Sequence, residues 1–383
     1  MKILHVAPYF HGAWAYGGIP RLSYQLAAAQ AAQGHEVHAV TTDALNRSER
    51  RPAENYEISG VDVRVYRNLS NMLAYHLQLF VPRGIDKERE RVADYDVVHI
   101  HGHRNLHNTW MAKMARQANV PTVLMPNGTL VNIERRQLAK SIYDRLWGRE
   151  QVESTDAFVA VSHAEKRAFE ALGLPMEKVK VIPNGVYLNL RTGNKGFAET
   201  HNIPGDYVLY LGKITPRKGI EHAIEALALL SDDSISLAIA GNDMGYQRNL
   251  ERKAARQGVA HRVHFTGLVT GEMKVAAYRE ALFTVYTGRD EIFGLVPWES
   301  MLCGTPVIVA DDSGCGEWVE TAEAGHIVPY GDPEAIAQII NTRDYDRDQA
   351  MVQRGIIFCR ERLDWSVIAR EMVQYYREVI DGR

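Results

Sequence analysis

Two glutamates eight residues apart, Glu291 and Glu299, bracket the segment Glu-Ile-Phe-Gly-Leu-Val-Pro-Trp-Glu, which follows an apolar run at residues 283–286. A helix opening near Gly294 leaves Glu291 in the preceding loop and Glu299 about a turn inside. The peptide N–H groups of Phe293, Gly294 and Leu295 then lie at a helix start, where unsatisfied donors and the helix dipole favour an anion. From that position Glu299 can accept hydrogen bonds from two hydroxyls of a diol such as a ribose. The same spacing also suits a capped helix with ordinary solvated carboxylates. A second cluster, Gly-Lys-Ile-Thr-Pro-Arg-Lys-Gly at 212–219, holds Lys213 and Lys218 in a loop bracketed by glycines. Point charges beside closely approachable backbone suit a diphosphate, although a basic loop is also compatible with plain solvation. The spacing is not that of a P-loop, which disfavours a P-loop nucleotidase.

Two further patches lie in the first half. Gly17 and Gly18, in Tyr16-Gly17-Gly18-Ile19-Pro20, precede a helix and let backbone approach a ligand closely. The aromatic residues of the same loop, Tyr9, Phe10, Trp14 and Tyr16, are suited either to stacking on a sugar or to packing the loop. Residues 98–103 read Val-His-Ile-His-Gly-His, so alternate histidines share one face of an extended segment and a metal site must be weighed. Gly102 interrupts that strand and no acid adjoins it, so the expectation is no metal and a single hydrogen-bonding histidine, His101, at the strand end.

These residues need strands and helix starts to hold them. Short apolar runs at residues 3–7, 35–41, 61–66, 96–100, 122–125, 157–161 and 180–182 alternate with segments of helical period, the first being 21–33. The rhythm pauses in a polar stretch at 186–204 and restarts with strands at 207–211, 236–240, 263–266, 283–286, 307–310 and 326–328. Such alternation predicts parallel βαβ units with helices on both sheet faces. The fold class expected is α/β, with two Rossmann-like domains facing each other across a cleft. Residues 1–187 form the first, joined by an amphipathic C-terminal helix at 365–383, and residues 188–364 form the second.

A length of 383 residues suits two cores better than one. A net charge of -3 supplies no field to attract nucleic acid, so no nucleic-acid partner is expected. Three cysteines without a C-x-x-C pair suggest neither a disulfide framework nor a thiolate zinc site. No run of apolar residues is long enough to span a bilayer, and the opening Met-Lys-Ile-Leu-His-Val-Ala-Pro fits a first strand better than a signal peptide. A cytoplasmic location is therefore expected. The segment 132–150, with five arginines and lysines and apolar residues at helical spacing, suits either a domain-surface helix or peripheral contact with the inner membrane face.

Taken in order, these patches resemble the family-4 retaining glycosyltransferases of the GT-B fold. The resemblance also takes in Gly34-His35-Glu36-Val37, Ile182-Pro183-Asn184-Gly185, Cys303-Gly304-Thr305-Pro306 and Gly331-Asp332-Pro333, and so covers nearly the whole chain. It implies that Lys218 binds the donor diphosphate, with Lys213 where the family usually has arginine. It implies that Glu291 meets the transferred sugar near its anomeric centre and that Glu299 holds the ribose. Phe293, Gly294 and Leu295 then offer backbone to sugar and phosphates, Gly17 and Gly18 close over the diphosphate, and His101 lies near the sugar. The activity implied is metal-independent hexosyl transfer with retention, from a nucleoside-diphosphate sugar to a glycan, lipid-linked or small-molecule acceptor, with no cofactor. The lysines would take a metal's place. Two other classes share parts of the pattern: a nicotinamide-dependent oxidoreductase, for which Asp43 sits where a ribose-binding acid would, and a non-catalytic sugar-nucleotide-binding protein.

Overall fold

The computed structural model describes residues 1–130, 143–188 and 196–383. They divide into two α/β units, one of Met1–Gly185 with Trp365–Arg383 and the other of Val186–Asp364. Residues 189–195 of the expected linker, and 132–142 of the basic segment, lie outside the described residues.

The first unit is built on an eight-stranded sheet. In chain order its strands are β1 (Lys2–Val6), β2 (Glu36–Thr42), β3 (Tyr56–Ile58), β4 (Val61–Tyr66), β5 (Val97–His101), β6 (Thr122–Met125), β7 (Ala157–Ala160) and β8 (Val179–Val181). They lie in the order β3-β4-β2-β1-β5-β6-β7-β8. The central strands are aliphatic because helices cover both faces, and every residue of β5, β6 and β7 is buried. The parallel sheet expected from the βαβ rhythm is corrected at one edge, where β3 runs antiparallel to β4. A two-residue connection allows this: Ser59 and Gly60 both take positive φ, at 51° and 74°, the hairpin geometry whose twist matches that of the strands.

The second unit holds six strands, β9 (Tyr207–Leu211), β10 (Ser236–Ala240), β11 (Val263–Gly267), β12 (Phe283–Tyr286), β13 (Val307–Ala310) and β14 (His326–Val328). Their order is β11-β10-β9-β12-β13-β14, and every pair is parallel. Its core joins Leu237 and Ile239 of β10, Val285 of β12 and Ile308 of β13 to the helix Ile220–Ala228.

The chain returns to the first unit through the helix Trp365–Asp381, which packs on the helix Ile19–Ala32. Its buried residues, Ile368, Ala369, Met372, Val373, Tyr375 and Tyr376, recur at helical spacing and form one apolar stripe. Two tyrosines on that stripe carry polar ends. Tyr375 donates to the Lys178 carbonyl at 2.8 Å, while Tyr376 joins a buried network beneath the sheet's central strands.

That network fixes its own proton positions. Gln30 Oε1 lies 2.7 Å from His5 Nε2 and must accept from it, so His5 Nδ1 accepts in turn from His101 Nε2 at 2.8 Å. Gln30 Nε2 donates to the Tyr376 hydroxyl at 3.3 Å, and that hydroxyl closes on His99 Nδ1. His5, His99 and His101 are at most 1% exposed. Burial pushes the His5 imidazole down to about 4, and holds His99 and His101 well below their ordinary value. All three therefore fold neutral. The unfolded chain takes up protons on them below about pH 6.5, whereas the folded chain resists until about pH 4 at His5. Stability is thus fully present above pH 6.5 and declines as pH falls through that window. Urea unfolding of the first unit between pH 7.5 and 4.5 should show this decline, with about 3 kcal/mol arising from His5. His5→Gln should flatten the profile by that amount, and an unchanged profile would show that His5 is not the group responsible.

Candidate functional site

In an open parallel sheet, ligands gather outside the carboxyl ends of the strands where the strand order reverses. In the second unit the chain runs outward from β9 through β10 and β11, then restarts on the other side at β12, so the reversal lies between β9 and β12. The loops that leave these two strands are 212–219 and 287–294, and between them they carry Lys213, Lys218, Glu291, Phe293 and Gly294.

The two loops are pressed together. Gly219 takes a φ of 62°, and a Cβ there would sit 2.4 Å from the carbonyl oxygen of Thr287, so only glycine allows this approach. Arg289 N–H donates to the Arg217 carbonyl at 2.8 Å. At Gly294, with φ 67°, a Cβ would meet Cys315 Sγ at 2.8 Å and the Tyr286 ring at 3.0 Å. Gly294 is the N-cap of the helix Leu295–Leu302, which carries Glu299. Phe293 turns its ring inward, 4% exposed, and stacks on Trp298. Its backbone is therefore the part left near the helix start.

Lys218 and Glu291 meet directly. Lys218 Nζ lies 2.6 Å from Glu291 Oε1, the Tyr286 hydroxyl donates to Glu291 Oε2 at 2.6 Å, and Arg217 Nη2 stands 3.4 Å from Oε1. Lys218 also donates to the Tyr286 hydroxyl at 3.2 Å. Glu291 is only 7% exposed. Burial alone would raise its carboxyl, but Lys218 and then Arg217 reverse that and hold it below the ordinary carboxylate value. Burial and the charge of Glu291 hold Tyr286 protonated, with its pKa well above 10.

Glu299 is held in the same manner by other residues. Lys274 Nζ lies 2.7 Å from its Oε1, and the Tyr278 hydroxyl donates to its Oε2 at 2.9 Å. Lys274 and Tyr278 stand four apart on the helix Gly271–Arg279 and so share a face. Arg217, Tyr286, Lys274 and Tyr278 are the site residues that sequence reasoning missed. The only signal for the last two was their spacing. Lys213 is exposed at the start of its loop, and its carbonyl accepts from the Tyr210 hydroxyl at 2.9 Å.

Gly17, Gly18 and His101 belong to the first unit, where they mark the corresponding reversal between β1 and β5. Gly17 has φ 111° and Gly18 caps the helix Ile19–Ala32. A Cβ on Gly102 would touch Ile19 Cδ1 at 3.6 Å, so the glycine loop and the end of β5 adjoin. The aromatic alternative resolves to packing at two positions: Tyr9 stacks on Tyr16 with centroids 5.0 Å apart, and Phe10 sets its edge on Tyr24.

The expectation of a single strand-end histidine is corrected. His101 is one of three, since parallel register sets His5 of β1 beside His99 of β5, and ring nitrogens of all three lie within 4.8 Å of one another. The arrangement does not suit a metal. His5 Nδ1 and His101 Nε2 point at each other across 2.8 Å, closer than two nitrogens on one tetrahedral ion at about 2.0–2.1 Å each can stand. His103 is directed elsewhere, to Gln151 at 3.0 Å and Asp144 at 3.4 Å. Asp43 is likewise committed, accepting from the Asn68 N–H at 2.8 Å and pairing with Arg50 at 3.3 Å. It is no open ribose acceptor. A cavity of about 590 Å³ in the first unit is lined by residues including His103 of the histidine run, Asp144 and Arg149 of the basic segment, and Arg104, Phe158 and Lys178.

Two protein families match successive parts of the chain. Residues 16–190 match Glycosyltransferase Family 4 and residues 195–354 match Glycosyl transferases group 1. A D-inositol 3-phosphate glycosyltransferase of Jonesia denitrificans is 30% identical over 404 residues, covering 98% of this chain and 95% of that protein. A phosphatidyl-myo-inositol mannosyltransferase of Mycobacterium leprae is 29% identical over 298 residues, covering 75% of this chain and 74% of that protein. Among solved structures, HepE of Anabaena in complex with UDP and glucose superposes with a TM-score of 0.73 at 20% identity, covering 99% of this chain and 100% of that one.

A buried carboxylate whose cation is removed costs about 3–5 kcal/mol, whereas removing both partners costs far less. Lys218→Met should therefore lower the melting temperature of the chain more than Lys218→Met combined with Glu291→Leu does. Strictly additive losses in the double variant would show that the two side chains do not stabilise each other.

Proposed function

The chain belongs to the family-4 glycosyltransferases of the GT-B fold, and on that premise we propose that it transfers a hexose-type sugar, with retention, from a nucleoside-diphosphate sugar. The donor is assigned to the second unit. The acceptor, a glycan, lipid-linked or small-molecule hydroxyl compound, is assigned to the first. The observation that carries this reading is the meeting of Lys218 and Glu291 at the strand reversal. It sets a cation that suits a departing diphosphate beside an ionised carboxylate that suits sugar hydroxyls.

Cleavage of the bond between the anomeric carbon and the diphosphate oxygen leaves negative charge on the phosphate. Preformed positive groups stabilise that charge more in the transition state than before it, which is the electrostatic route to acceleration. Lys218 keeps an ammonium hydrogen for the phosphate after donating to Glu291 and Tyr286. Lys213 and the first N–H groups of the helix Leu295–Leu302 add to it. We assign Lys213 and Lys218 the counter-charge that a divalent ion supplies elsewhere, so no metal takes part. Glu291, kept ionised by its cations, accepts hydrogen bonds from the sugar, and Glu299 accepts them from the ribose. Gly17 and Gly18 close on the diphosphate, and His101, its N–H already given to His5, meets the sugar only as an acceptor through Nδ1. Retention follows from attack on the face that the phosphate leaves, with the leaving phosphate taking the acceptor's proton.

Screening UDP-, GDP- and ADP-sugars for thermal stabilisation and slow hydrolysis identifies the donor. The released sugar should keep its anomeric configuration by proton NMR, and turnover should persist in EDTA. Inversion, or loss of activity in EDTA, overturns the corresponding part of the proposal. Lys218→Ala should reduce turnover by on the order of 10²-fold or more. Glu291→Gln should lower kcat with little change in donor affinity, while Glu299→Ala should mainly raise the donor KM. The opposite pattern would exchange the two roles.

Among the described residues no helix is long and apolar enough to cross a membrane. The described part of the basic segment exposes Leu146 (57%) and Trp147 (38%) beside Arg145 and Arg149, an arrangement that supports peripheral contact with an anionic bilayer. Sedimentation with phosphatidylglycerol vesicles, but not with phosphatidylcholine vesicles, is the expected outcome. Equal recovery with both removes the electrostatic part of this reading.

A further inference from the structure

Glu299 does not wait in solvent for a ligand. Each of its oxygens is already engaged, Oε1 by Lys274 at 2.7 Å and Oε2 by the Tyr278 hydroxyl at 2.9 Å. A carboxylate has about four lone-pair sites, so one on each oxygen remains after these two bonds. The two engaged sites fix the rotation of the carboxylate plane, and with it the direction in which the remaining pair points.

The supporting residues are themselves held. Tyr278 is fully buried, and the Thr305 hydroxyl donates to its carbonyl at 2.5 Å. Tyr278 stays protonated because burial, and after it the negative charge of Glu299, raise its pKa, so it can only donate to the carboxylate. The Lys274 side chain is 20% exposed, and the same helix begins just after residues 268–270, the loop leaving β11. One face of one helix thus supplies both contacts, from a part of the unit separate from the loops that carry Lys218 and Glu291.

We infer that Lys274 and Tyr278 are positioning residues that hold Glu299 as a preset two-hydroxyl acceptor for the donor's ribose. The inference rests on the donor reading above. It assigns Lys274 a role different from that of Lys218: its charge is directed at a carboxylate, not at the phosphates. Removing it should therefore cost the ribose contact and leave the phosphate contact in place.

The test measures dissociation constants for UDP, GDP and ADP, and for their 2′,3′-dideoxy counterparts. These are compared for the wild-type chain, Lys274→Met, Tyr278→Phe, Glu299→Gln and Lys274→Arg, each checked for an unchanged melting profile. Wild type should bind the natural nucleotide more tightly than its dideoxy form by on the order of tenfold or more, the worth of hydrogen bonds to a charged group. Glu299→Gln should lose most of that ratio. Lys274→Met and Tyr278→Phe should shrink it substantially by weakening the natural nucleotide alone, and Lys274→Arg should restore part of it. If Lys274→Met weakens both forms equally, or leaves both unchanged, while Glu299→Gln abolishes the ratio, the positioning role is overturned and the donor reading stands. If Glu299→Gln keeps the full ratio, or none of the three nucleotides binds the wild-type chain, the donor reading itself falls.

Discussion

A carboxylate that water scarcely reaches stays ionised only if a cation lies against it, because desolvation otherwise drives it to take up a proton. Glu291 meets that constraint with Lys218 and Arg217, and Lys274 stands against the less buried Glu299 in the same way. A tyrosine hydroxyl completes each pair from the other oxygen. The two glutamates are thus held by one device built twice, ammonium on one oxygen and phenol on the other. The repetition makes the acidic side chains rigid before any substrate arrives, and rigidity is what lets charged groups act without reorganising during reaction. It also explains why Lys218 is placed so close to Glu291: its first duty is to the protein.

The sheets explain how such pairs can form between residues 73 positions apart, as Lys218 and Glu291 are. β9 and β12 are far apart in sequence but hydrogen-bonded neighbours, and the chain reverses direction of travel across the sheet between them. Loops leaving such neighbours must part, one to each face, and the space where they part is lined by backbone that helices do not cover. Gly219 lets the loops come together there without side-chain collision, and Gly294 lets the second loop close on Cys315 and Tyr286. The first unit repeats the arrangement with β1 and β5, and its glycine loop and histidines sit at the matching place.

Much of this was legible beforehand, and the limits are instructive. The runs at 207–211, 236–240 and 283–286 are strands with the same ends in the structure, because a strand covered on both faces reads as an unbroken apolar run; 61–66 has the same ends too, its Val-Asp-Val-Arg alternation marking a strand with one exposed face. Tyr56–Ile58 escaped notice because it is three residues long, half polar and at a sheet edge. Within the site, Lys218, Glu291 and Glu299 declared themselves through charge, spacing and flanking glycines. Tyr286 looked like one more buried strand residue, and Lys274 and Tyr278 like an ordinary helix face. Their roles depend on strand order and on which helix lies beside which, and neither is written in local sequence. His5 is the clearest case: nothing near it in sequence is polar and buried with it, and only the β1–β5 register brings it to His99.

The division of the chain has a consequence for how it is made. The second unit is one uninterrupted stretch, Val186–Asp364, whereas the first includes Trp365–Arg383. Until Trp365–Asp381 leaves the ribosome, Gln30 and His99 lack the Tyr376 hydroxyl, and the groove of the helix Ile19–Ala32 lacks its apolar cover. The half synthesised first is therefore the half completed last. Domains usually mature from the N-terminus during synthesis, and here that order is inverted: the nascent N-terminal half holds an open seam through the whole translation of its neighbour. A chain halted before Trp365 would carry a finished second unit and an unsealed first one.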